Sequence, residues 1–190
     1  MSRAYRITLK ESSTRQIQGT DEICTDLEVL EILPKEQMGE LLKRELEKRG
    51  FSDNGDGKLT RTDGNITVTV DPKTCEVSVR SDVNEQVTLE TKGESVGYDD
   101  AGPGQAELRE RLQKQLREDL EKKAAKASEQ LQGKATAELE GKLCDLQPEL
   151  NEVVNKITRE ALKEKARQLG SVKEVSEDEQ SGSLTIKVEV

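Results

Sequence analysis

The chain contains no histidine and no tryptophan, and its aromatic residues are one phenylalanine (Phe51) and two tyrosines (Tyr5 and Tyr98). Without histidine, no Ser–His or Cys–His pair can activate a nucleophile. Glycine-rich phosphate loops are missing as well: GPGQAE (102–107) has neither the spacing nor the lysine of such a loop. With so few aromatics there is no platform on which bases or sugars could stack, and a core must be built from aliphatic side chains. The three cysteines (Cys24, Cys75, Cys144) are odd in number and far apart. That pattern is neither a disulfide framework nor a zinc spacing. No apolar run approaches the roughly 20 residues that span a bilayer, and the opening MSRAYRITLKESS has no apolar signal core. The expectation is a cytoplasmic protein with reduced, mostly buried thiols, in which the sequon Asn65-Ile66-Thr67 carries no meaning.

What the sequence does have is charge. Charged residues make up 36% of the chain and apolar residues 32%, against roughly 45–50% apolar in ordinary globular domains. The net charge is −9, which disfavours nucleic acid and anionic membrane as partners. Even the most basic stretch, RLQKQLREDLEKKAAK (111–126), is interleaved with acids. The apolar residues are nevertheless patterned, and this argues for folded structure.

AYRITLKE (4–11) alternates as a half-buried strand does, whereas SSTRQIQGTDE (12–22) reads as a polar loop. TDLEVLEIL (25–33) fits neither period, although Thr25 and Glu28 form a capping-box pattern. PKEQMGELLKRELEKRGF (34–51) predicts a helix with Pro34 at its first position and Met38, Leu41, Leu42 and Leu46 on its apolar face. Gly50 is placed to close it in a Schellman motif, with Phe51 packing back on Leu46. Four short strands are then expected at 58–61, 65–70, 75–80 and 85–90, forming an antiparallel meander with a dry face that includes Ile66, Val68, Val70, Cys75, Val77 and Val79. KGESVGYDDAGPGQ (92–105) reads as a linker.

Residues 105–169 have a helical composition. Leu108, Leu112, Leu116 and Leu120 recur every four residues. Leu143, Leu146, Leu150, Val153 and Ile157 make a short heptad seam. With breaks at Gly133 and Pro148, the expectation is an antiparallel helical hairpin, a coiled-coil-like arm. SVKEV (171–175) and SGSLTIKVEV (181–190) read as strands around a SEDEQSG turn, and the last strand is expected to pair with the first.

Four features are weighed as candidate sites. In FSDNGDGKLTRTD (51–63), an EF-hand register puts Asn54, Asp56 and Asp63 at ligand positions. Ser52 stands where a carboxylate belongs, and strand pattern follows where a second helix belongs, so a helix-to-strand turn is the simpler reading. Asp99 and Asp100 lie in the linker as solvated carboxylates, and Tyr98 beside them is an aromatic anchor for a body or a partner. Cys75 and Cys144 read as small core residues. The leucine stripe and seam either pack within the chain or meet another chain through Leu108, Leu112, Leu116, Leu143, Leu150 and Ile157.

DEICTDLEVLEILPKEQMGELLKRELEKRGF (21–51), with SRAYRITLKES (2–12), resembles bacterial accessory proteins encoded beside AAA+ ATPases in multi-component systems. The resemblance implies a non-enzymatic partner of an ATPase machine and carries over no functional residue. The sequence thus predicts an α+β protein: a small antiparallel sheet body with a helix (1–92), a linker (93–104), a helical arm (105–169) and C-terminal strands rejoining the body (170–190). The function expected is non-catalytic: protein partner binding or self-association, without cofactor, nucleic acid or membrane. The alternative is a calcium-binding module at 52–63.

Overall fold

The computed structural model describes residues 3–98, 102–178 and 183–189. Asp99, Asp100 and part of the SEDEQSG turn lie outside them. In chain order the elements are β1 (Ala4–Asp26), α1 (Lys35–Lys48), β2 (Ser52–Asp53), β3 (Leu59–Asp63), β4 (Ile66–Val70), β5 (Glu76–Tyr98), α2 (Gln105–Leu169), β6 (Ser171–Asp178) and β7 (Ser183–Glu189). The class is α+β, as the sequence predicts. Strands β1 to β5 form one antiparallel sheet in the order β1-β5-β4-β3-β2, and β6 and β7 form a separate two-stranded sheet. The expected pairing of first and last strands is therefore corrected: β7 takes β6 as its partner, with Val172 opposite Val188 and Val175 opposite Ile186.

The chain forms two compact units. One holds the residues up to Asp21 together with Asp82–Ala137, and the other holds Glu22–Ser81 and the residues from Glu138 onward. Strands β1 and β5 and helix α2 supply residues to both units.

In the first unit, β1 and β5 make a two-stranded ribbon with α2 on one face. Thr14 Oγ1 lies 3.2 Å from Thr88 Oγ1, and Thr20 Oγ1 donates to Asp82 Oδ1 at 3.0 Å, which fixes an antiparallel register. Odd-numbered residues of β1 face the helix: Ile7 and Ile17 are buried and Tyr5 and Leu9 partly so. The stretch 12–22 is strand, where a loop was expected. Its inward positions are polar because the helix offers charges to meet them. Arg15 donates to both carboxylate oxygens of Glu121, at 2.9 and 2.5 Å, and Glu11 lies 3.9 Å from Arg117. Gly93 and Gly97, read as linker, are also strand. A Cβ on Gly97 would sit 2.5 Å from the Tyr5 ring and 2.6 Å from Leu108 Cδ1. These glycines are there so that the helix can approach the strand closely.

In the second unit, α1 and α2 cover one face of the sheet. Ile66, Val68, Val70, Val77 and Val79 point into a core shared with Met38, Leu42, Leu46, Phe51 and the α2 residues Leu139, Leu146, Leu150, Val153, Ile157 and Ala161. Helix α1 ends as its sequence predicts. Phe51 N–H donates to Leu46 O at 3.2 Å and Gly50 N–H to Glu47 O at 3.1 Å, with Gly50 at φ 85°. That is the Schellman pattern, and Phe51 packs back on the helix it closes. Pro34 stands one residue earlier than expected, as the N-cap. Residues 27–34 are neither helix nor strand.

The expected strands at 75–80 and 85–90 are one strand, β5, which runs straight through Ser81 and Asp82; Ser81 sits opposite Ile66 and is fully buried. The expected helical hairpin does not form either: α2 is a single 65-residue helix containing Gly133 and Pro148. A proline inside a helix costs about 3 kcal/mol through its missing N–H and its clash one turn back. Here Leu146 and Leu150, on either side of it, are buried in the core. Leu131, Ala135 and Leu139 do the same around Gly133. Packing on the sheet outweighs the local breakers.

Candidate functional site

Helix α2 in the second unit has two flanks that differ in what covers them. At 100° per residue, its buried stripe (Leu146, Leu150, Val153, Ile157) separates Glu149, Glu152 and Lys156 on one side from Gln147, Asn151 and Asn155 on the other. The first flank is occupied by α1. Glu45, buried, accepts from Lys156 Nζ at 2.8 Å and from Lys48 Nζ at 3.1 Å, and Arg49 Nη2 donates to Glu152 at 3.1 Å. These pairs run in opposite directions along the two helices, so α1 and α2 are antiparallel. Burial alone would raise the Glu45 carboxyl; the bonds from Lys156 and Lys48 more than reverse this and hold it below its ordinary value.

The same flank is tied to the sheet. Arg61 on β3 makes a bidentate pair with Glu149, at 2.7 and 2.8 Å, and also donates to Arg49 O at 3.1 Å. Its guanidinium lies 4.6 Å from the centre of the Phe51 ring. The Arg61 hydrogen bonds hold the Glu149 carboxyl below its usual range despite partial burial. Lys142 pairs with Asp63 at the end of β3.

The second flank is open. Between it and the end of β1 lies a groove of about 730 Å³. Val77 and Val79 form its floor, and Leu143 and Val154 its helix wall, with Ile23 and Leu27 opposite them. Gln147, Asn151 and Asn155 line the helix rim, and Thr25, Asp26 and Glu28 the strand rim. Val77 and Val79 are fully buried under the helices, and the exposed apolar surface of the groove lies beside them, at the end of β1. Ile23 is 38% exposed although it lies on the inward face of β1, because no third helix lies above it. Leu30, in the irregular segment after β1, and Leu162, one turn beyond Thr158 on the open flank of α2, are also exposed.

The residues expected to bind a partner have other places. Leu112 and Leu116 are buried with Ile7 in the first unit, and Leu108 packs against them. Leu150 and Ile157 are buried in the core of the second unit, with Leu143 partly covered beside them. The body covers Leu112, Leu116, Leu150 and Ile157, so these are packing residues of the chain itself, whereas partly covered Leu143 also lines the groove. Tyr98, expected to be an anchor, ends β5 exposed, on the same face of the ribbon as exposed Val96. Cys75 is half-buried in the turn before β5, whereas Cys24 and Cys144 are exposed and so differ from the expected core thiols.

The 52–63 loop is a β-hairpin: Ser52 pairs with Thr60 and Asp53 with Leu59. Asp53 accepts from Gly55 N–H at 2.8 Å and from Lys43 Nζ at 2.7 Å. Asn54 Nδ2 donates to Thr60 Oγ1 at 3.0 Å. Asp63 stands at the far end of β3, about 13 Å along the strand from Leu59. The three residues of the calcium alternative are therefore not drawn around one point. Asp56 lies in the turn, and Asp63 is held by Lys142 at the opposite end of the strand.

The groove is not legible from the buried stripe of α2 alone. A second stripe, Leu143, Gln147, Asn151, Val154, Thr158 and Leu162, follows the same helical spacing on the neighbouring face.

Sheet and helices define an α+β domain with a ready-made concave surface and no helix among the described residues long and apolar enough to cross a membrane. The chain belongs to the family described as FtsH ternary system domain X5, whose model matches residues 1–190. It is thus an accessory domain of a multi-component system with an AAA+ ATPase, FtsH, in agreement with the resemblance seen in its first quarter. No curated protein and no solved structure matches the chain.

Proposed function

We propose that the chain is a non-catalytic accessory component that acts in the cytoplasm by binding another protein of its FtsH system through the groove beside α2. The observation that carries this reading is the open flank of α2: exposed Ile23 at the end of β1 faces half-buried Leu143 and Val154 across a groove that no other element covers among the described residues. Family membership supports the setting. The leucines of the buried stripe do not mediate the contact; they hold α2 in place so that its other flank is presented.

The test is co-expression of the full chain with the identified ATPase and remaining components of its system, followed by size-exclusion chromatography. A complex is expected with the wild-type chain and is lost with Ile23→Asp combined with Val154→Asp. A complex that survives both substitutions moves the binding surface elsewhere. Turnover of a small-molecule substrate by the isolated chain would overturn the non-catalytic reading.

A further inference from the structure

The geometry points to the kind of partner segment the groove takes: an amphipathic helix of about three turns carrying lysine or arginine along one edge. This inference rests on the partner-binding reading above and adds the chemistry of the occupant.

Three observations lead to it. The first is the helix layer itself. Neighbouring strands stand about 4.8 Å apart and packed helices 8–10 Å apart, so each helix of a layer covers roughly two strands. Helix α1 packs near β3 and α2 lies beside it over β5, and the end of β1, where Ile23 is exposed, is left for one more helix. The second is length. The wall runs from Leu143 to Asn155, which at 1.5 Å per residue is about 18 Å, the length of a helix of roughly twelve residues. The third is charge. Among the described residues, the charged ones lining the groove are the carboxylates Asp26 and Glu28, both on the strand rim. The helix rim is made of amides, which are neutral and can donate or accept. An incoming helix would face acids on one edge and amides on the other. It would place apolar residues at i, i+3, i+4 and i+7 on Ile23, Leu143 and Val154.

An extended segment pairing with the free edge of β1 would not need this floor, since its contacts would be main-chain bonds in the plane of the sheet. The floor and wall lie above that plane, which favours a helix.

The test uses the full chain and fluorescein-labelled synthetic peptides of fourteen residues, read by fluorescence anisotropy. The probe carries leucine at i, i+3, i+4 and i+7 with lysines on one edge. One comparator exchanges the lysines for glutamates, and another has the same composition with two central prolines. Binding of the lysine probe is expected, at least tenfold weaker for each comparator. Ile23→Asp should weaken it at least tenfold. Asp26→Asn with Glu28→Gln should weaken it about threefold and flatten its dependence on salt. Asn151→Arg, on the exposed helix rim, should also weaken it. Unchanged circular dichroism and Tm show that each variant is folded.

Equal binding of the proline peptide would overturn the helical occupant, and equal binding of the glutamate peptide would overturn the basic one. A concentration-dependent dimer abolished by Ile23→Asp would make the occupant a second copy of the chain and would overturn the proposal. If no peptide binds while the complex with the system's own proteins still depends on Ile23 and Val154, the helical inference fails and the partner-binding reading stands. If neither is seen, both fail.

Discussion

The bidentate pair between Arg61 and Glu149 should set the position of α2 on the second unit's sheet, and its removal can be priced from the structure. Both side chains are about three-quarters covered: Arg61 is 22% exposed and Glu149 26%. Removing one partner of a buried ion pair costs about 3–5 kcal/mol, because the other charge is left without compensation. Solvent access at this level reduces that to about 2 kcal/mol, with water partly rehydrating the stranded group. Arg61 also contributes its contact over Phe51, about 0.5–1 kcal/mol, and its bond to the Arg49 carbonyl at the end of α1. Arg61→Met should therefore destabilise by about 2–3 kcal/mol. At 2–4 °C per kcal/mol for a chain of this size, Tm should fall by roughly 5–10 °C.

The assay is a double-mutant cycle with Arg61→Met and Glu149→Gln, followed by denaturant titration. A coupling of about 1.5–3 kcal/mol is expected, since the residues are in direct contact. Arg61→Lys keeps the charge and loses the fork, so it should recover only part of the stability. A coupling below about 0.5 kcal/mol, or an Arg61→Lys chain as stable as wild type, would refute the argument that this pair positions the helix.

Five further expectations can be tested alongside it. Gly19→Ala should destabilise by about 1–3 kcal/mol, since its Cβ would meet the backbone carbonyl of Leu131, which cannot rotate away. Gly133→Ala, open to solvent inside α2, should stabilise by about 0.5–1 kcal/mol in the same thermal scans. Leu116→Ala should cost about 3 kcal/mol and leave the molar mass by light scattering unchanged, because that residue is buried within its own unit. The carboxyls of Glu45 and Glu149 titrate below their ordinary values in the folded chain. Their contribution is therefore complete above the unfolded value of about 4.3 and is lost as pH falls through the lower folded values. Denaturant midpoints should be flat with respect to these groups from pH 7 to 5 and drop below about pH 4.3, less steeply in Glu149→Gln. Millimolar calcium should leave Tm unchanged; a rise of several degrees abolished by Asp56→Ala would restore the 52–63 loop as a metal site.

The parts of this fold that were legible in the sequence are those in which local chemistry and tertiary packing agree. Gly50 after Lys48 and Arg49, with Phe51 behind, specifies a helix end almost completely. ITVTV alternates because one face of β4 is dry. The parts that were not legible are those in which a distant residue decides. SSTRQ looks like a loop until Glu121, 106 residues away from Arg15, supplies the charge that lets Arg15 face inward. Gly93 and Gly97 look like linker until Leu112 and Leu108 press on them. Pro148 looks like a break until Leu146 and Leu150 are seen holding both of its sides in the core. The groove is harder still. Its residues Ile23, Leu27, Leu143 and Val154 come from segments more than a hundred positions apart, and no local period joins them. The segment LEVLEIL gave the one local hint, as apolar residues in a stretch that satisfies neither a helix nor a strand.

The low apolar fraction also bears on why such a surface exists. A sheet with one dry face needs a full layer of helices to cover it. The described residues hold one short helix and one very long helix to provide that cover, and α2 contributes to two units instead of doubling back on one. The helical hairpin expected from Pro148 would have returned a second arm to the same sheet. A continuous helix cannot do so, and the strip over the end of β1 stays open in consequence. The exposure of Ile23 and the continuity of α2 are thus two sides of one choice. Breaking the helix to cover the groove from within would cost the packing of Leu146 and Leu150, which a partner's helix can leave intact.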